Sequence, residues 1–444
     1  MIAAVTAVLV LAVLGVAGWQ AHWPPGVFGS QAAPTLAWSV SKAPLPADAA
    51  GGSAQNAVLN DVTCAAAGDC VAVGSYEAGS GSSAVPTGLV ETLLHGSWAP
   101  AALTDVTAAA GGIAALVGIS CPAAGSCVAV GEQAAGSSNE PGPVGEILAG
   151  GSWTASTPAL PADADQTQWA SLNDVFCPAS GSCVATGRYT DQSGNSEGLL
   201  DTLSDGTWSA VKAPLPDGAD PGKESSQFDT VTLLTGVVCT AVGSCVASGQ
   251  YLDSAGAGQG VIETLSGGHW TAVKAPLPAD AAASGQLATL WTIYCQAPGS
   301  CLAGGHYKSS GGQPRYLAET LSGGAWTAAS IALPADAVAD QKWSKEAATA
   351  VDGLSCQQAG SCVAVDSYLA RDGAVKPAVS TLSGGTWQTA DLSLPAGAAQ
   401  AGKQQSFLAL VSCPTASSCV TVGAYDAADG SLQGLIETAV SKKG

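Results

Sequence analysis

Carboxylates recur along this chain at one position of a repeating segment, where they could perform acid–base chemistry. The segment reads Leu-Ile-Glu-Thr-Leu or a close variant. Two carboxyl groups about 5–10 Å apart catalyse glycoside hydrolysis. A residue present in almost every copy is better explained by a need of the repeat itself. We therefore expect these side chains to accept a hydrogen bond or to face solvent on an outer strand: Glu91, Glu146, Asp201, Glu263, Glu319 and Glu437.

Two Gly-containing loops carry acidic or amide side chains at short spacing, and oxygen ligands at such spacing can hold calcium. The side chains are Asp191, Asn195 and Glu197 in one loop, and Asp217, Asp220 and Glu224 in the other. Neither loop has the full pattern of a calcium-binding loop, so each is also explained as a solvated turn. We expect no cofactor, with calcium at these oxygens as the alternative.

Aromatic residues fall into two groups. Seven Trp residues recur with the repeat and are expected to pack between its copies: Trp38, Trp98, Trp153, Trp208, Trp270, Trp326 and Trp387. Trp291 is expected in the core. Four others break the pattern and are candidate ligand-binding residues, because exposed aromatic rings stack on sugars or anchor protein partners. They are Trp169, Phe228, Trp343 and Phe407. The alternative is that they pin loops onto the fold.

Other chemistries are poorly represented. The four histidines neither cluster nor share a repeat position, and no Ser–His–Asp set or phosphate-binding loop is indicated. The three arginines, Arg188, Arg315 and Arg371, fall at different repeat positions and are not expected to converge. The net charge of −20 disfavours nucleic acid and anionic lipid as partners. Basic proteins, cations and neutral glycans remain compatible with it.

Fourteen cysteines form seven pairs, each of the form Cys-x5-Cys, and the first cysteines follow one another at 56 to 62 residues. Complete pairing indicates an oxidising compartment, and the spacing is unlike that of zinc sites. We predict one disulfide per pair, within one hairpin of each repeat. The predicted bonds join Cys64 to Cys70, Cys121 to Cys127, Cys177 to Cys183, Cys239 to Cys245, Cys295 to Cys301, Cys356 to Cys362 and Cys413 to Cys419.

Each repeat contains four short segments rich in Val, Ile, Leu, Thr and aromatic residues, bounded by turn residues, and we interpret these as strands A to D. Ser-Gly-Gly between C and D is a hairpin signal. Four antiparallel strands repeated seven times predict an all-β, seven-bladed β-propeller. The last repeat lacks its Trp strand, and a matching segment around Trp38 precedes the first Cys. We therefore expect the N-terminal strand to complete the last blade and close the ring, which removes exposed sheet edges.

The repeat resembles that of secreted bacterial propeller proteins over residues 36–440. Ser-Asp-Gly-Thr-Trp at residues 204–208 is also similar to the Asp-box turn of sialidase-like propellers. Most other repeats replace that Asp with Gly, so the resemblance implies the position of a turn between the third and fourth strands and no activity.

The N-terminus is predicted to direct the chain out of the cytoplasm. Residues 1–23 are interpreted as a signal peptide or a membrane anchor, because residues 2–16 are uninterrupted apolar sequence. No Lys or Arg precedes Lys42, so the usual positive flank is missing and the start could lie upstream. Residues 24–35 are interpreted as a linker. The expected location is secreted or cell-surface, with membrane contact only through such an anchor.

The two ends of the predicted ring differ. The A–B and C–D turns are short and uniform, whereas the B–C loops and D–A crossovers are expected to be long, variable and acidic. Variable loops on a rigid scaffold are where binding usually resides. The chain is therefore predicted to be a monomeric, non-catalytic extracellular module that binds a glycan or a protein at the B–C/D–A end. The alternatives are a glycan-active enzyme, such as a glycosidase or lyase, and a structural cell-surface protein.

Overall fold

The computed structural model describes residues 36–94, 96–134, 140–220, 222, 231–338, 350–358, 361–383, 385–400, 402 and 404–441. These residues form seven antiparallel sheets, which we number as blades 1 to 7. Within a blade the strands run in the order A, B, C, D, and a two-residue strand, β14 (Ala219–Asp220), adds to the sheet of blade 4. Two short 3-10 turns, Gly52–Ala54 and Gly81–Ser83, lie outside the sheets.

The strands of the blades have the following bounds. Blade 1 has β2 (Val58–Ala66), β3 (Asp69–Ala78), β4 (Val85–Leu94) and β5 (Ser97–Thr107); blade 2 has β6 (Ala114–Ala123), β7 (Ser126–Ala134), β8 (Pro141–Ala149) and β9 (Ser152–Ser156). Blade 3 has β10 (Ala170–Ala179), β11 (Ser182–Thr190), β12 (Ser196–Ser204) and β13 (Thr207–Lys212); blade 4 has β15 (Leu233–Ala241), β16 (Ser244–Asp253), β17 (Gly258–Ser266) and β18 (His269–Lys274). Blade 5 has β19 (Thr289–Ala297), β20 (Ser300–Lys308), β21 (Pro314–Ser322) and β22 (Ala325–Ile331); blade 6 has β23 (Ala350–Gln358), β24 (Ser361–Leu369), β25 (Val375–Ser383) and β26 (Thr386–Asp391). Blade 7 has β27 (Ser406–Thr415), β28 (Ser418–Asp426), β29 (Leu432–Ser441) and, as its fourth strand, β1 (Leu36–Lys42).

The two ends of the chain close the ring. Strand β1 pairs antiparallel with β29, from Leu36 opposite Ser441 to Lys42 opposite Leu435. Blade 7 then packs on blade 1, where Ile436 lies in one apolar cluster with Leu59 and Tyr76. The protein is a seven-bladed β-propeller. The predicted fold class and the completion of the last blade by the N-terminal strand are confirmed.

The hydrophobic core is divided into seven clusters, one between each pair of neighbouring blades. Strands of period two place alternate side chains on opposite faces, so each blade contributes to two clusters. Every cluster includes one of the seven recurring Trp residues, which confirms the expectation that they pack between blades. The A strands of neighbouring blades contact one another and so surround the axis. Trp291, which was expected in the core, is only half-buried on its A strand and donates a 3.1 Å hydrogen bond to His306.

The predicted disulfide pairing is confirmed, and the described residues include no free cysteine. Each bond joins strand A to strand B of one blade, so the hairpin at this end of every blade is covalently closed. The seven bonds join Cys64 to Cys70, Cys121 to Cys127, Cys177 to Cys183, Cys239 to Cys245, Cys295 to Cys301, Cys356 to Cys362 and Cys413 to Cys419.

Glycines at two repeat positions allow the blades to form. The C–D turn in blade 2 has Gly150 and Gly151 at φ angles of 59° and 82°, as a two-residue hairpin requires. On strand B, a Cβ added to Gly187 would lie 2.0 Å from the carbonyl oxygen of Ser171, because strand A bulges at this point. The small residues of strand B thus reflect close backbone approach as well as burial on both faces.

The predicted signal or anchor at residues 1–23 and the linker at 24–35 lie outside the described residues. Within the part of the chain that the structure does describe, no helix has the length and apolar character needed to cross a membrane.

A chain that begins at residue 43 is expected to lose at least about 4 kcal/mol of unfolding free energy relative to a chain that begins at residue 36. It would lack the ladder of β1 with β29 and the packing of Trp38 and Val40 in the last cluster. It would also expose the edge of β29, which favours aggregation. Thermal unfolding and size-exclusion chromatography of the two chains measure this. Equal melting temperatures would contradict closure through β1.

Candidate functional site

The variability at the B–C/D–A end comes from the D–A crossovers. In blades 3 to 7 the B–C loop is only four or five residues long, whereas the crossovers range from six residues between β5 and β6 to twenty between β13 and β15. The expectation that the B–C loops are long was therefore wrong for these five blades. Each of these loops closes through a Gly with positive φ, such as Gly194 at 75°.

The disulfide residues take no part in this candidate site, because they lie at the opposite end of the blades, beside the A–B turns. The second cysteine of every pair is also buried at the start of strand B, where it packs into a cluster between blades or lies beside one. These buried residues are Cys70, Cys127, Cys183, Cys245, Cys301, Cys362 and Cys419. Their role is therefore to hold the hairpins together, and they do not contact a ligand at the variable end.

The crossovers are anchored by a recurring hydrogen bond that the sequence analysis did not identify. The Tyr at the end of strand B donates to the Asp of the Pro-Ala-Asp segment in the preceding crossover, as from Tyr189 to Asp163 at 2.8 Å. The same bond joins Tyr76 to Asp48, Tyr307 to Asp280 and Tyr368 to Asp336. The recurrence of this Tyr together with this Asp in the repeats is the sequence pattern that could have predicted the bond. The bond fixes the inner part of each crossover and leaves its remaining residues to vary.

The candidate calcium ligands of blade 3 are engaged by their own surroundings. Asp191 accepts hydrogen bonds from the backbone N–H groups of Ser193 and Asn195 and from the Asn195 side chain, at 2.8 to 2.9 Å. Glu197 accepts a bond of 2.5 Å from Lys212. The same use of an Asp recurs in blade 4, where Asp253 bonds the N–H groups of Ala255 and Ala257. This loop is thus organised as an Asx-type turn.

The second candidate loop is only partly described. Asp217 and Asp220 are exposed, and Asp220 accepts a 3.0 Å bond from the N–H of Gly222. Glu224 lies outside the described residues. Among the described residues, no three His, Cys, Asp or Glu side chains are placed to hold a metal ion. Calcium binding therefore stays a prediction that the structure does not test.

Two of the four candidate aromatic residues, Phe228 and Trp343, also lie outside the described residues. Trp169 is half-buried just before β10, and the guanidinium of Arg188 lies 4.9 Å from its ring centre. Phe407 is half-buried in β27, in a blade that does not adjoin blade 3. The structure therefore does not bring Trp169 and Phe407 to one surface. A ligand stacking on Trp169 would have to use the ring face that Arg188 leaves open.

A half-buried carboxyl group, Glu132 of blade 2, lies beside this Trp169–Arg188 pair. The pKa of Glu132 is raised above its usual value by burial. The charge of Arg188 and a hydrogen bond from Trp169 offset part of this rise. The three side chains form a polar contact between blades 2 and 3 at the variable end. Glu132 occupies the repeat position that Arg188 occupies in blade 3, and this deviation from the repeat was the available sequence signal.

The recurring carboxyls of strand C are buried, so the expectation that they could face solvent was wrong. Each lies on the face that its blade turns toward the preceding blade; Glu319, for instance, lies between Leu317 and Leu321 of the cluster between blades 4 and 5. Neither oxygen of Glu91, Glu263 or Glu319 has a hydrogen-bond partner among the described residues. Asp201 differs from these three glutamates, because its carboxyl group accepts a 2.7 Å hydrogen bond from the N–H of Ala159.

Burial in apolar surroundings raises the pKa of every one of these groups. The values are about 8 for Glu91, 7 for Glu146, 7 for Asp201, 8 for Glu263, 9 for Glu319 and 8 for Glu437. Each lies in a separate interface between blades. They are therefore not arranged as the carboxyl pair that glycoside hydrolysis requires.

Blade 6 keeps a buried carboxyl by a different substitution. It has Ser380 at the strand C position, and Asp366 replaces the strand B glycine on the same face. Ser380 donates a 2.6 Å hydrogen bond to Asp366, and burial raises the pKa of Asp366 to about 7. Every one of the seven interfaces between blades thus contains at least one buried carboxyl group.

The three arginines do not converge, because Arg188 lies beside Trp169 in blade 3, but Arg315 and Arg371 line one groove. The groove has a volume of about 270 Å³ and lies between blades 5 and 6 at the variable end. Arg315 from the start of β21 and Arg371 from the B–C loop of blade 6 line it, together with residues 330–335 and 337 of the end of β22 and the following crossover. Pairing of β20 with β21 places Arg315 opposite Tyr307, at the crossover end of the blade. The positions of the two arginines within their repeats could not predict that they line one groove, because the groove is formed between neighbouring blades.

Comparisons with known proteins identify no family. No protein-family model matches the chain, and no curated protein matches it in sequence. Among solved structures, the Hadza microbial sialidase Hz136 is similar over 81% of this chain and 74% of its own, with 14% identity and a TM-score of 0.46. A protein of unknown function from Dyadobacter fermentans covers 91% of this chain and 99% of its own, with 8% identity and a TM-score of 0.45. The α-L-arabinanase of Penicillium chrysogenum matches 75% of this chain and 94% of its own, with 12% identity and a TM-score of 0.42. All three TM-scores are below 0.5, so no function is inferred from these likenesses.

Proposed function

We propose that this protein is an extracellular, non-catalytic module that binds a glycan at the B–C/D–A end of the ring. The observation that carries the proposal is the groove between blades 5 and 6, which combines an apolar crossover with two guanidinium groups. Binding sites for small ligands are typically concave and largely apolar, with a few polar groups that fix orientation. Seven disulfides are typical of proteins of an oxidising compartment, which supports an extracellular location.

Binding is favoured over cleavage by the composition of the groove. Its lining, as far as the structure describes it, contains no carboxyl group, whereas glycoside hydrolysis uses two. The nearby Asp336 accepts hydrogen bonds from Lys376 and Tyr368 at 2.8 Å and is held as part of the crossover. A groove that can contact a sugar without an acid and a base beside it is suited to recognition.

The test is a glycan-array screen of purified residues 24–444, performed with calcium and again with a chelator. We expect a reproducible hit that persists in both conditions. Loss of the hit with chelator would instead support calcium at the Asp191 or Asp217 loop. The bound glycan is then recovered and analysed by mass spectrometry; cleavage products would favour the glycan-active enzyme. A blank array would contradict the proposal and favour a protein partner or a structural role.

A further inference from the structure

We propose that the crossover between blades 4 and 5, residues 275–288, is a pH-sensitive strap, which closes over the protonated carboxyl group of Glu319 and lifts when that proton is lost. The crossover belongs to the B–C/D–A end of the ring, so the strap links the shape of that end to the pH. This inference does not depend on the identity of a ligand.

The repeat shows what lies over the strand C carboxyl of a blade. Between blades 2 and 3, the backbone N–H of Ala159, near the start of the crossover, donates a 2.7 Å bond to the carboxyl group of Asp201. Counted from the recurring Trp of the preceding strand D, Pro276 stands at the repeat position of Ala159, and Glu319 stands at that of Asp201. The start of the crossover at 275–288 is therefore expected to cover Glu319 as Ala159 covers Asp201.

The packing of this crossover agrees with that position. The side chains on either side of Pro276, and those two residues before and after Glu319, lie in or against one apolar cluster: Ala275, Leu277, Leu317 and Leu321. Ala275 is 1% exposed, and its N–H donates a 2.9 Å bond to the carbonyl of Gly260 on strand C of blade 4. The crossover therefore closes the variable end of the interface in which Glu319 is buried.

The proline determines which form of the carboxyl group the closed crossover accepts. Pro276 has no backbone N–H, so it cannot give an ionised Glu319 the bond that Asp201 receives from Ala159. Glu319 is fully buried, and neither of its oxygens has a hydrogen-bond partner among the described residues. The same combination of an unpartnered Glu and a Pro occurs at two more interfaces of the described ring, Glu91 with Pro44 and Glu263 with Pro214. The closed crossover therefore suits the protonated form of the Glu.

Burial alone raises the pKa of Glu319, to about 9. By strand alternation, the titratable groups on the faces that blades 4 and 5 turn to each other are Tyr307 and Arg315 of blade 5, and His269 and Asp280 of blade 4. Asp280 accepts a 2.7 Å bond from Tyr307, and His269 is exposed at the start of β18. None of the four contributes to the shift, so Glu319 is the group whose ionisation drives the strap.

The first residues of the crossover form few backbone hydrogen bonds, because Pro276 and Pro278 have no N–H to donate. Farther along, the N–H of Ala282 donates a 2.9 Å bond to the carbonyl of Lys308 and holds the middle of the crossover on blade 5. An ionised Glu319 needs water or N–H donors, and lifting the first residues admits water without separating the blades. Local openings of this kind cost less free energy than unfolding of the whole domain.

Opening of the strap is linked to the release of one proton. The pKa of Glu319 is about 9 in the closed form and returns to its ordinary value of 4.5 in the open form, so the closed form is fully favoured below pH 4.5 and loses its advantage as the pH rises through 9. Between these values the opening equilibrium rises about tenfold for each pH unit. Asp201 has a pKa of about 7, so opening over that residue gains little above pH 7.

Amide hydrogen exchange followed by mass spectrometry tests the strap in the native, disulfide-bonded protein at pH 7 and pH 8, after correction for the intrinsic exchange rates. Protection of residues 275–288 should fall about tenfold between the two pH values, because one proton is released on opening. Protection of residues 157–169, the crossover over Asp201, should stay within about twofold.

Two variants assign the effect to its residues. Glu319→Gln should keep the protection of residues 275–288 within about twofold between pH 7 and pH 8. It should leave unchanged the fall in residues 43–57, the crossover over Glu91. Pro276→Ala supplies an N–H that an ionised carboxylate can accept, so the fall in residues 275–288 should be smaller than in wild type.

Asp217→Asn is the matched control, because it removes an exposed carboxyl group from a different crossover and should exchange like wild type. An equal fall in protection in the two crossovers and in the B strands of all blades would indicate global unfolding and overturn the strap. A fall in residues 275–288 that persists in Glu319→Gln would overturn it by assigning the proton to another group. A full fall that persists in Pro276→Ala would overturn the role of the proline.

Discussion

Replacing Glu319 by Gln is expected to raise the free energy of unfolding at pH 8 by on the order of 3 kcal/mol and to change it little at pH 4. Glu319 is fully buried between blades 4 and 5, and neither carboxyl oxygen has a partner among the described residues. Its pKa is raised from 4.5 to about 9, so at pH 8 the folded state must hold a proton that the unfolded chain releases. Each pH unit between the two pKa values costs about 1.4 kcal/mol, and local relaxation reduces the sum. The Gln side chain has nearly the same shape as that of protonated Glu but does not ionise, so this cost is absent from the variant.

Buried carboxyls like Glu319 also determine the pH dependence of the wild-type protein's stability. A carboxyl with a raised pKa in the folded state contributes its full stability below about pH 4.5, and this contribution is lost as the pH rises through its folded pKa. Seven interfaces carry such a group, with pKa values from about 7 for Asp366 to about 9 for Glu319. His306 acts in the opposite sense: burial lowers its pKa to about 4, so it destabilises the fold as the pH falls below 6.5. The melting temperature should therefore fall steadily from about pH 6 to pH 9.

Thermal unfolding of wild type, Glu319→Gln and the control Asp217→Asn across pH 4 to 9 measures both effects. Asp217 is exposed, so its replacement removes one negative charge without changing an interface between blades. Only Glu319→Gln should make the fall in melting temperature above pH 6 less steep, because the carboxyls of the other six interfaces remain. Two results would contradict the conclusion that these carboxyl groups are protonated where they are buried between blades. One is a wild-type melting temperature that rises between pH 6 and 9, and the other is equal curves for the two variants.

Complete reduction of the disulfides is expected to abolish folding. Each bond closes a loop with a sequence separation of six residues, which stabilises the fold by about 2 kcal/mol in the chain-entropy account. Seven such contributions, even if only partly additive, are comparable to the whole stability of a typical domain, about 5–15 kcal/mol. Protein reduced in denaturant and alkylated with iodoacetamide should therefore not regain its circular dichroism spectrum or its thermal transition.

A variant that lacks only one of the seven disulfides is the control for complete reduction. Cys239→Ala with Cys245→Ala should fold and lose about 2–4 kcal/mol, because it removes one cross-link and a little buried volume from the cluster between blades 3 and 4. Native, unreduced protein should incorporate no iodoacetamide. Recovery of a wild-type melting temperature after complete reduction and alkylation would show that packing alone maintains the ring.

The repeat was predictable because its signals are local. A hairpin between strands A and B, a Gly-Gly turn between C and D, and a Cys pair opposite each other are all contained in one blade. The missing last strand and the spare segment around Trp38 predicted the long-range pairing of β1 with β29, since an unpaired edge is unfavourable. The packing of the recurring Trp residues between blades was predictable because they recur at one position of the repeat. These features depend on residue type and spacing along one unit.

The candidate site was less predictable, because it depends on contacts between units. Arg315 and Arg371 lie at different repeat positions in different repeats, which did not indicate that they would line one groove; the packing of blade 5 on blade 6 brings the start of a C strand beside the next B–C loop. Asp191 resembled a metal ligand by its spacing from Asn195 and Glu197. Its oxygens are instead used within the turn. Local spacing does not show which partner a polar side chain finds.

The sequence by itself determined the blade, the number of blades, the disulfides and the closure of the ring, because each follows from alternation, turn chemistry and cysteine pairing within or between identical units. Only the tertiary structure decided which face of strand C is covered. The radial stacking of blades buries both faces of every sheet, so Glu319 and its equivalents, which alternate with apolar residues as solvent-facing side chains do, lie inside the interfaces. The same stacking decided which two arginines share a groove, since that depends on the angle between neighbouring blades and not on the order of residues in either.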